Sequence, residues 1–279
     1  MERIKQQMSF ATVAGTIFGF FMVLGAIAHG TDNYLTFLSI EGLFIVVGGT
    51  IANAFMSYQS TYVIKAFKAM WHMIQKPVAT REGLNMEILR LIKWAYIVHS
   101  KGLAGLETEA GKQIDEPLLR YGIDLVITGY QPDVIRNMMN TAVEAEFERA
   151  ITPVTVLRNM ASTAPAFGMV GTLVGMVIML QNIQGDMSQI GNGLAVALLA
   201  TLYGIISARL VCLPAADNLM QKEEIMRFRN YMMTEGLVLL AEKQSPHYMQ
   251  DRLNSFLNPE IHFDISEHMR IETKGSEAS

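Results

Sequence analysis

Residues 164–183, APAFGMVGTLVGMVIMLQNI, decide the fold. They carry no charge, and a helix needs only ~20 mostly apolar residues to cross a ~30 Å hydrocarbon core. Three more stretches read the same way. They are Ser9 to Ala28, about Phe37 to Met56 (marred only by Glu41 near its start) and Gly193 to Ala215. Each contains glycines or other small residues, which let membrane helices approach closely. The 279 residues are 51% hydrophobic and 17% charged, against ~25% charged in ordinary soluble domains. Because the apolar excess is clustered, it signals membrane spans rather than a large core. The sequence predicts an all-α integral membrane protein, with four transmembrane helices and a helical cytoplasmic domain inserted between helices 2 and 3.

Orientation follows from the lysines and arginines of the loops. The loops His29–Thr36 and Gln184–Asn192 have none. Arg3 and Lys5 precede the first span. Lys65, Lys68, Lys76, Arg90, Lys93 and Arg158 lie in the long middle segment, and Lys222, Arg227 and Arg229 follow the last span. Both termini and the middle segment are therefore expected in the cytoplasm. The expected division is helices 1 and 2 over residues 1–57, the cytoplasmic helical domain over 58–163, helices 3 and 4 over 164–215, and a cytoplasmic C-terminal helix and tail over 216–279. A signal peptide ending at Ala26-Ile27-Ala28 is the rival reading of the N-terminus, but the apolar run is long against the ~7–15 residues typical of a signal core.

Within the insertion, Ile88, Leu91, Ile92, Ala95 and Val98 fall at helical spacing. Lys101-Gly102 predicts a break, and Leu118 to Ile127 a second helix. Gln131-Pro132-Asp133 predicts a helix start with Asp133 as N-cap, leading past Glu144, Glu146, Glu148 and Arg149 toward the third span, with a perturbation at Pro153. After about Ser245 periodicity fades, and the terminal ETKGSEAS reads as disordered.

The third and fourth spans each present small residues at i, i+4, i+7 and i+11. These are Ala164, Gly168, Gly171 and Gly175 in one, and Ala197, Thr201, Gly204 and Ala208 in the other. The two faces pack either on each other or against a partner helix that slides or turns. Thr172 and Thr201 are the polar groups on or beside them. A lone membrane threonine usually bonds back to its own turn, but two hydroxyls at matching depth suggest an ion path. Neither span contains a carboxylate, which a midplane ion path normally uses, so an ion-conducting unit built on them needs one from a second polypeptide. Glu41 and Arg209 read as boundary residues. Pro165 and Pro214 mark the expected inner ends of these spans, as a helix start and a stop or kink, or as joints.

Other chemistry is excluded. No nucleotide-binding, nucleophile-elbow or metal-site spacing occurs, so the chain is expected to be no enzyme and to hold no cofactor or metal. The formal net charge of −4 argues against nucleic acid. The single cysteine, Cys212, reads as a small buried hydrophobe.

These residues resemble the MotA/PomA family, the A-subunits of bacterial flagellar motor stators. The resemblance lies in Ala164-Pro-Ala-Phe-Gly-Met-Val-Gly-Thr-Leu-Val-Gly175, in Ala195-Val-Ala-Leu-Leu-Ala-Thr-Leu-Tyr-Gly204 followed by Pro214 and Asp217, and in Ile45-Val-Val-Gly-Gly-Thr50. It implies a homo-oligomer, a pentamer, in the bacterial inner membrane around a dimer of a single-pass B-subunit (MotB/PomB-like). That partner brings the ion-carrying aspartate and a peptidoglycan-binding domain. Ion passage turns the ring, and the cytoplasmic domain pushes on a rotor switch protein (FliG-like). The related ExbB/TolQ energisers of outer-membrane systems, with three spans, are the alternative.

Position by position, the resemblance makes Thr172 the third-helix threonine of the ion path. Ala200 and Thr201 match a pair that is Thr-Thr in sodium-driven members. Alanine at the first place favours H+ over Na+, because sodium needs oxygens to replace its water. Pro165 and Pro214 match two joint prolines. The rotor-facing arginine aligns with His99, with Lys101 nearby, and the acidic cluster after it with Glu107 and Glu109. Two departures stand out: Ala161-Ser162 replaces the usual Gly-Asp, and Ser39, with Glu41 nearby, replaces an aspartate at the outer end of span two.

Overall fold

The computed structural model describes residues 10–32, 34–71, 81–110, 116–183, 187–257 and 262. Arg3, Lys5, Lys76 and the ETKGSEAS tail lie outside them. Every regular element among the described residues is helical. The order is α1 (Phe10–Gly30), a 3-10 turn at Tyr34–Phe37, α2 (Ile40–Ser57), α3 (Ser60–Trp71), α4 (Arg81–Ala110), α5 (Pro117–Thr128), α6 (Pro132–Gln181), α7 (Met187–Ile206), a π-turn at Ser207–Cys212, α8 (Leu213–Ala241) and α9 (Pro246–Asn254).

Three helical stretches are long and apolar enough to cross a membrane: Ile40–Ser57, Pro132–Gln181 and Gln189–Ala241. The first helix adds the shorter apolar stretch Ile17–Gly30. The chain divides into two compact units. One comprises Met1–Lys76 with Ala150–Gln221, and the other Pro77–Arg149 with Lys222–Ser279.

In the first unit, α2 starts where Ser39 caps it, its hydroxyl accepting from Gly42 N at 3.1 Å. The helix widens into a π-turn at Phe44–Gly48. A small core joins Ala54, Val63, Ala66, Val154, Leu157, Met160, Cys212 and Ala216, and Cys212 is buried in it as read. Pro165 and Pro214 depart from expectation, whereas the helix runs on past Pro153 into the third span as read. Pro153 and Pro165 both lie inside α6, which passes through them without a break, so Pro165 starts no helix. Pro214 is no stop either: it follows directly on the π-turn at Ser207–Cys212 and α8 continues beyond it. A proline ring clashes with the carbonyl four residues before it. Here that residue is Leu210, inside the widened turn, so helical backbone resumes across the proline.

In the second unit, α4, α5, the start of α6, the end of α8 and α9 enclose a core of Ile88, Leu91, Ile92, Leu106, Met139, Leu237 and Leu253. Gly102, at φ 70°, ψ −172°, kinks α4 where the Lys101-Gly102 pair predicts a break. A left-handed Gly129 closes α5. Asp133 lies in the first turn of α6 instead of capping it, because Pro132 already occupies a first-turn position. The largest departure is α9. Ser245 caps it, accepting from Tyr248 N, and Met249 and Leu253 are fully buried. Two anchors four residues apart are too little periodicity to find in a sequence, and the core they enter supplies the rest.

Candidate functional site: the α6–α7 seam

Ala164, Gly168, Gly171 and Gly175 are buried on α6, as are Ala197, Gly204 and Ala208 on α7 and the turn after it. The two small faces meet each other within the chain. A Cβ added at Gly168 would lie 3.1 Å from the Ala200 carbonyl oxygen, and one at Gly175 would lie 2.6 Å from both Ala197 N and Gly193 O. One at Gly204 would lie 2.7 Å from Ala164 O, and one at Gly171 would strike Ala200 Cβ. The faces are consumed by mutual packing, so a partner helix would meet what flanks them.

Thr172 and Thr201 sit where this seam reaches the surface, both half-buried. Thr172 Oγ1 donates back to Gly168 O at 3.0 Å, and the two hydroxyl oxygens stand 2.9 Å apart. A hydroxyl has one proton and two lone pairs. With the Thr172 proton spent on Gly168 O, Thr201 donates to Thr172, and the pair keeps unspent lone pairs. It is therefore a net acceptor. At helical spacing, Thr172 is flanked by exposed Met169 and Met176, and Thr201 by exposed Leu198 and Ile205. Ala200 is fully buried with its Cβ against Gly171, so the third candidate is a packing contact that offers no oxygen.

At one end of the seam, Tyr203 clamps the start of α2. Its hydroxyl accepts from Ser39 N at 2.9 Å and donates to Phe37 O at 2.5 Å. The Ser39 hydroxyl stands 3.2 Å from the exposed Glu41 carboxylate. Toward the other end, Asn53 Nδ2 donates to Asn159 Oδ1 at 3.0 Å, and Arg158 pairs with Asp217 at 3.2 Å. Sequence reading missed both the Tyr203 clamp and the Asn53–Asn159 bond, whose partners are 166 and 106 positions apart. Nothing local announces them.

The second unit holds His99, Lys101, Glu107 and Glu109, all exposed on α4. The kink at Gly102 falls between the two basic and the two acidic positions. Behind them lies an ion network absent from the sequence reading. Arg229, only 7% exposed, donates to Glu87 at 2.5 Å and to both oxygens of Glu116 at 2.9 and 2.8 Å. Burial works against its charge, yet the two carboxylates outweigh that and hold its pKa above the usual value. Glu235 accepts from Arg136 and Arg252. Burial would raise its carboxyl, and the two guanidiniums bring it below the ordinary range. Glu223 goes the other way, raised by burial and then by Glu146.

The architecture and seam define a class: a membrane protein, helical throughout its described residues, with a hydroxyl pair at a helix seam and no carboxylate in residues 164–183 and 193–215, which build it. Comparison narrows it. A model of the MotA/TolQ/ExbB proton channel family matches residues 110–232. The Bacillus subtilis (strain 168) protein named "Uncharacterized protein YtxD" is 32% identical, covering 93% of each chain. "Chemotaxis protein PomA" of Vibrio alginolyticus is 31% identical over 90% of this chain and 96% of its own. A solved structure, "Structure of C. jejuni MotAB", superposes with TM-score 0.78 at 22% identity, covering 90% of this chain and 97% of that one. The chain belongs to the MotA/TolQ/ExbB proton channel family, as a stator subunit of the flagellar-motor type and not an enzyme.

Proposed function

We propose that this chain is the ring-forming A-subunit of a stator that couples ion flow to rotation, and that ions pass the Thr172–Thr201 pair on a carboxylate supplied by a single-pass partner. The observation that carries it is the acceptor pair at 2.9 Å on a seam without an acid of its own. Four spans cross the inner membrane, the fourth being α1. Both termini and the inserted helical domain of residues 58–163 are cytoplasmic, and 216–279 form the C-terminal helix and tail. Five copies surround a dimer of the MotB/PomB-like partner, whose helix packs on the Met169, Met176, Leu198 and Ile205 surface beside the hydroxyls. H+ is the favoured ion over Na+, because Ala200 is buried against Gly171 and adds no third oxygen. A unit charge falling through 100 mV releases about 2.3 kcal/mol, enough to bias each step. His99, Lys101, Glu107 and Glu109, exposed around the Gly102 kink, face a FliG-like rotor protein, and Pro165 and Pro214 are the joints that let the membrane helices move.

Thr172→Val and Pro165→Leu test this. Each is expected to abolish torque while the complex still assembles. Normal swimming in both variants would overturn the reading.

A further inference from the structure

Arg209 poses a question the seam does not answer. It stands near the end of an apolar stretch, in the π-turn Ser207–Cys212, and no described carboxylate pairs with it. Such widened turns redirect side chains and recur at functional sites. Arg209 borders a cleft of about 340 Å³ shared with Arg158, Ser162, Pro165 and Leu213. Two guanidiniums and a hydroxyl thus border one space whose remaining wall is apolar. The competing acid is Asp217, which holds Arg158 at 3.2 Å; both those side chains are about half exposed, so the cleft keeps one net positive charge.

A planar guanidinium matches a phosphate with two parallel hydrogen bonds. An arginine at a span's end reaches the headgroup level. We infer that this cleft binds the phosphate of an anionic phospholipid, Arg209 as the main ligand and Arg158 as the second, with the acyl chains along the apolar wall. The site is distinct from the ion path. Only its assignment to the cytoplasmic leaflet rests on the proposed topology; binding itself does not.

The test is native mass spectrometry of the full-length chain in its stator complex, in mild detergent, titrated with dioleoylphosphatidylglycerol. Dioleoylphosphatidylcholine and inorganic phosphate are run in parallel. We expect retained phosphatidylglycerol, with affinity about tenfold weaker in Arg209→Gln, since a charge-assisted bond of this kind is lost. Asp217→Asn frees Arg158 and is expected to tighten binding severalfold. Phosphatidylcholine should bind more weakly, and millimolar phosphate should not displace the lipid. Arg209→Lys keeps the charge without the fork and should fall between wild type and Arg209→Gln. Equal phosphatidylglycerol retention in wild type and Arg209→Gln would overturn the inference. Displacement by inorganic phosphate would overturn it too, making the site one for a free anion. So would loss of assembly in Arg209→Gln that Arg209→Lys restores, since that would make the ligand a carboxylate of another chain.

Discussion

Gly175→Ala adds one methyl group where the backbones of α6 and α7 cross most closely. Its Cβ would fall 2.6 Å from Ala197 N and Gly193 O and 2.9 Å from Ala197 Cα. Ordinary carbon contacts begin near ~3.5 Å, and all three neighbours are backbone, so no side chain can swing aside. The helices must part by roughly 1 Å, and overpacking of this kind costs about 1–3 kcal/mol. The same shift stretches the Thr172–Thr201 contact from 2.9 Å to about 3.9 Å, where no hydrogen bond survives. One methyl group therefore damages both stability and the acceptor pair without touching either hydroxyl. Gly191→Ala is the control. It lies on α7, outside the seam, with nothing within 4 Å, and alanine is intrinsically the better helix former by about 1 kcal/mol. Thermal denaturation of the purified complex and ion flux through it should both fall for Gly175→Ala and hold or improve for Gly191→Ala. If Gly175→Ala kept wild-type stability and flux within twofold, the close-packed seam would be refuted.

Two further predictions concern the second unit. Arg229→Met should destabilise it by about 1–3 kcal/mol, because Glu87 loses its 2.5 Å bond and keeps only the half-exposed Arg90 at 3.2 Å; denaturant unfolding reads this, and no measurable loss would contradict it. Glu223→Gln should stabilise the protein at pH 7–8. A carboxyl raised in the folded state penalises folding above its folded pKa, and the penalty fades as pH falls through that value toward 4.5, the ordinary one. The gain in Tm should therefore shrink on acidification, and a gain that grew instead would reverse the assigned sign.

The apolar helices were legible because membrane burial writes itself into twenty consecutive residues. So was the break at Gly102, since a single residue's backbone freedom sets it. The seam was half legible. Spacing placed Gly168, Gly171 and Gly175 on one face, but what covered that face could not be read, and the answer was the chain's own α7. Arg229 looked like one more cytoplasmic cation. Its meaning lies in Glu87 and Glu116, 142 and 113 positions away, beyond any local pattern. Pro165 misled because a proline ring reads as a boundary, whereas here a continuous helix absorbs it.

The claim beneath the rest is that the seam offers acceptors and lacks an acid. Ion flux into liposomes, measured with the chain alone and again with its single-pass partner, addresses it directly. The account predicts no flux above empty liposomes from the chain alone and flux once the partner's membrane carboxylate is present. Ion movement by the chain unaided would contradict it.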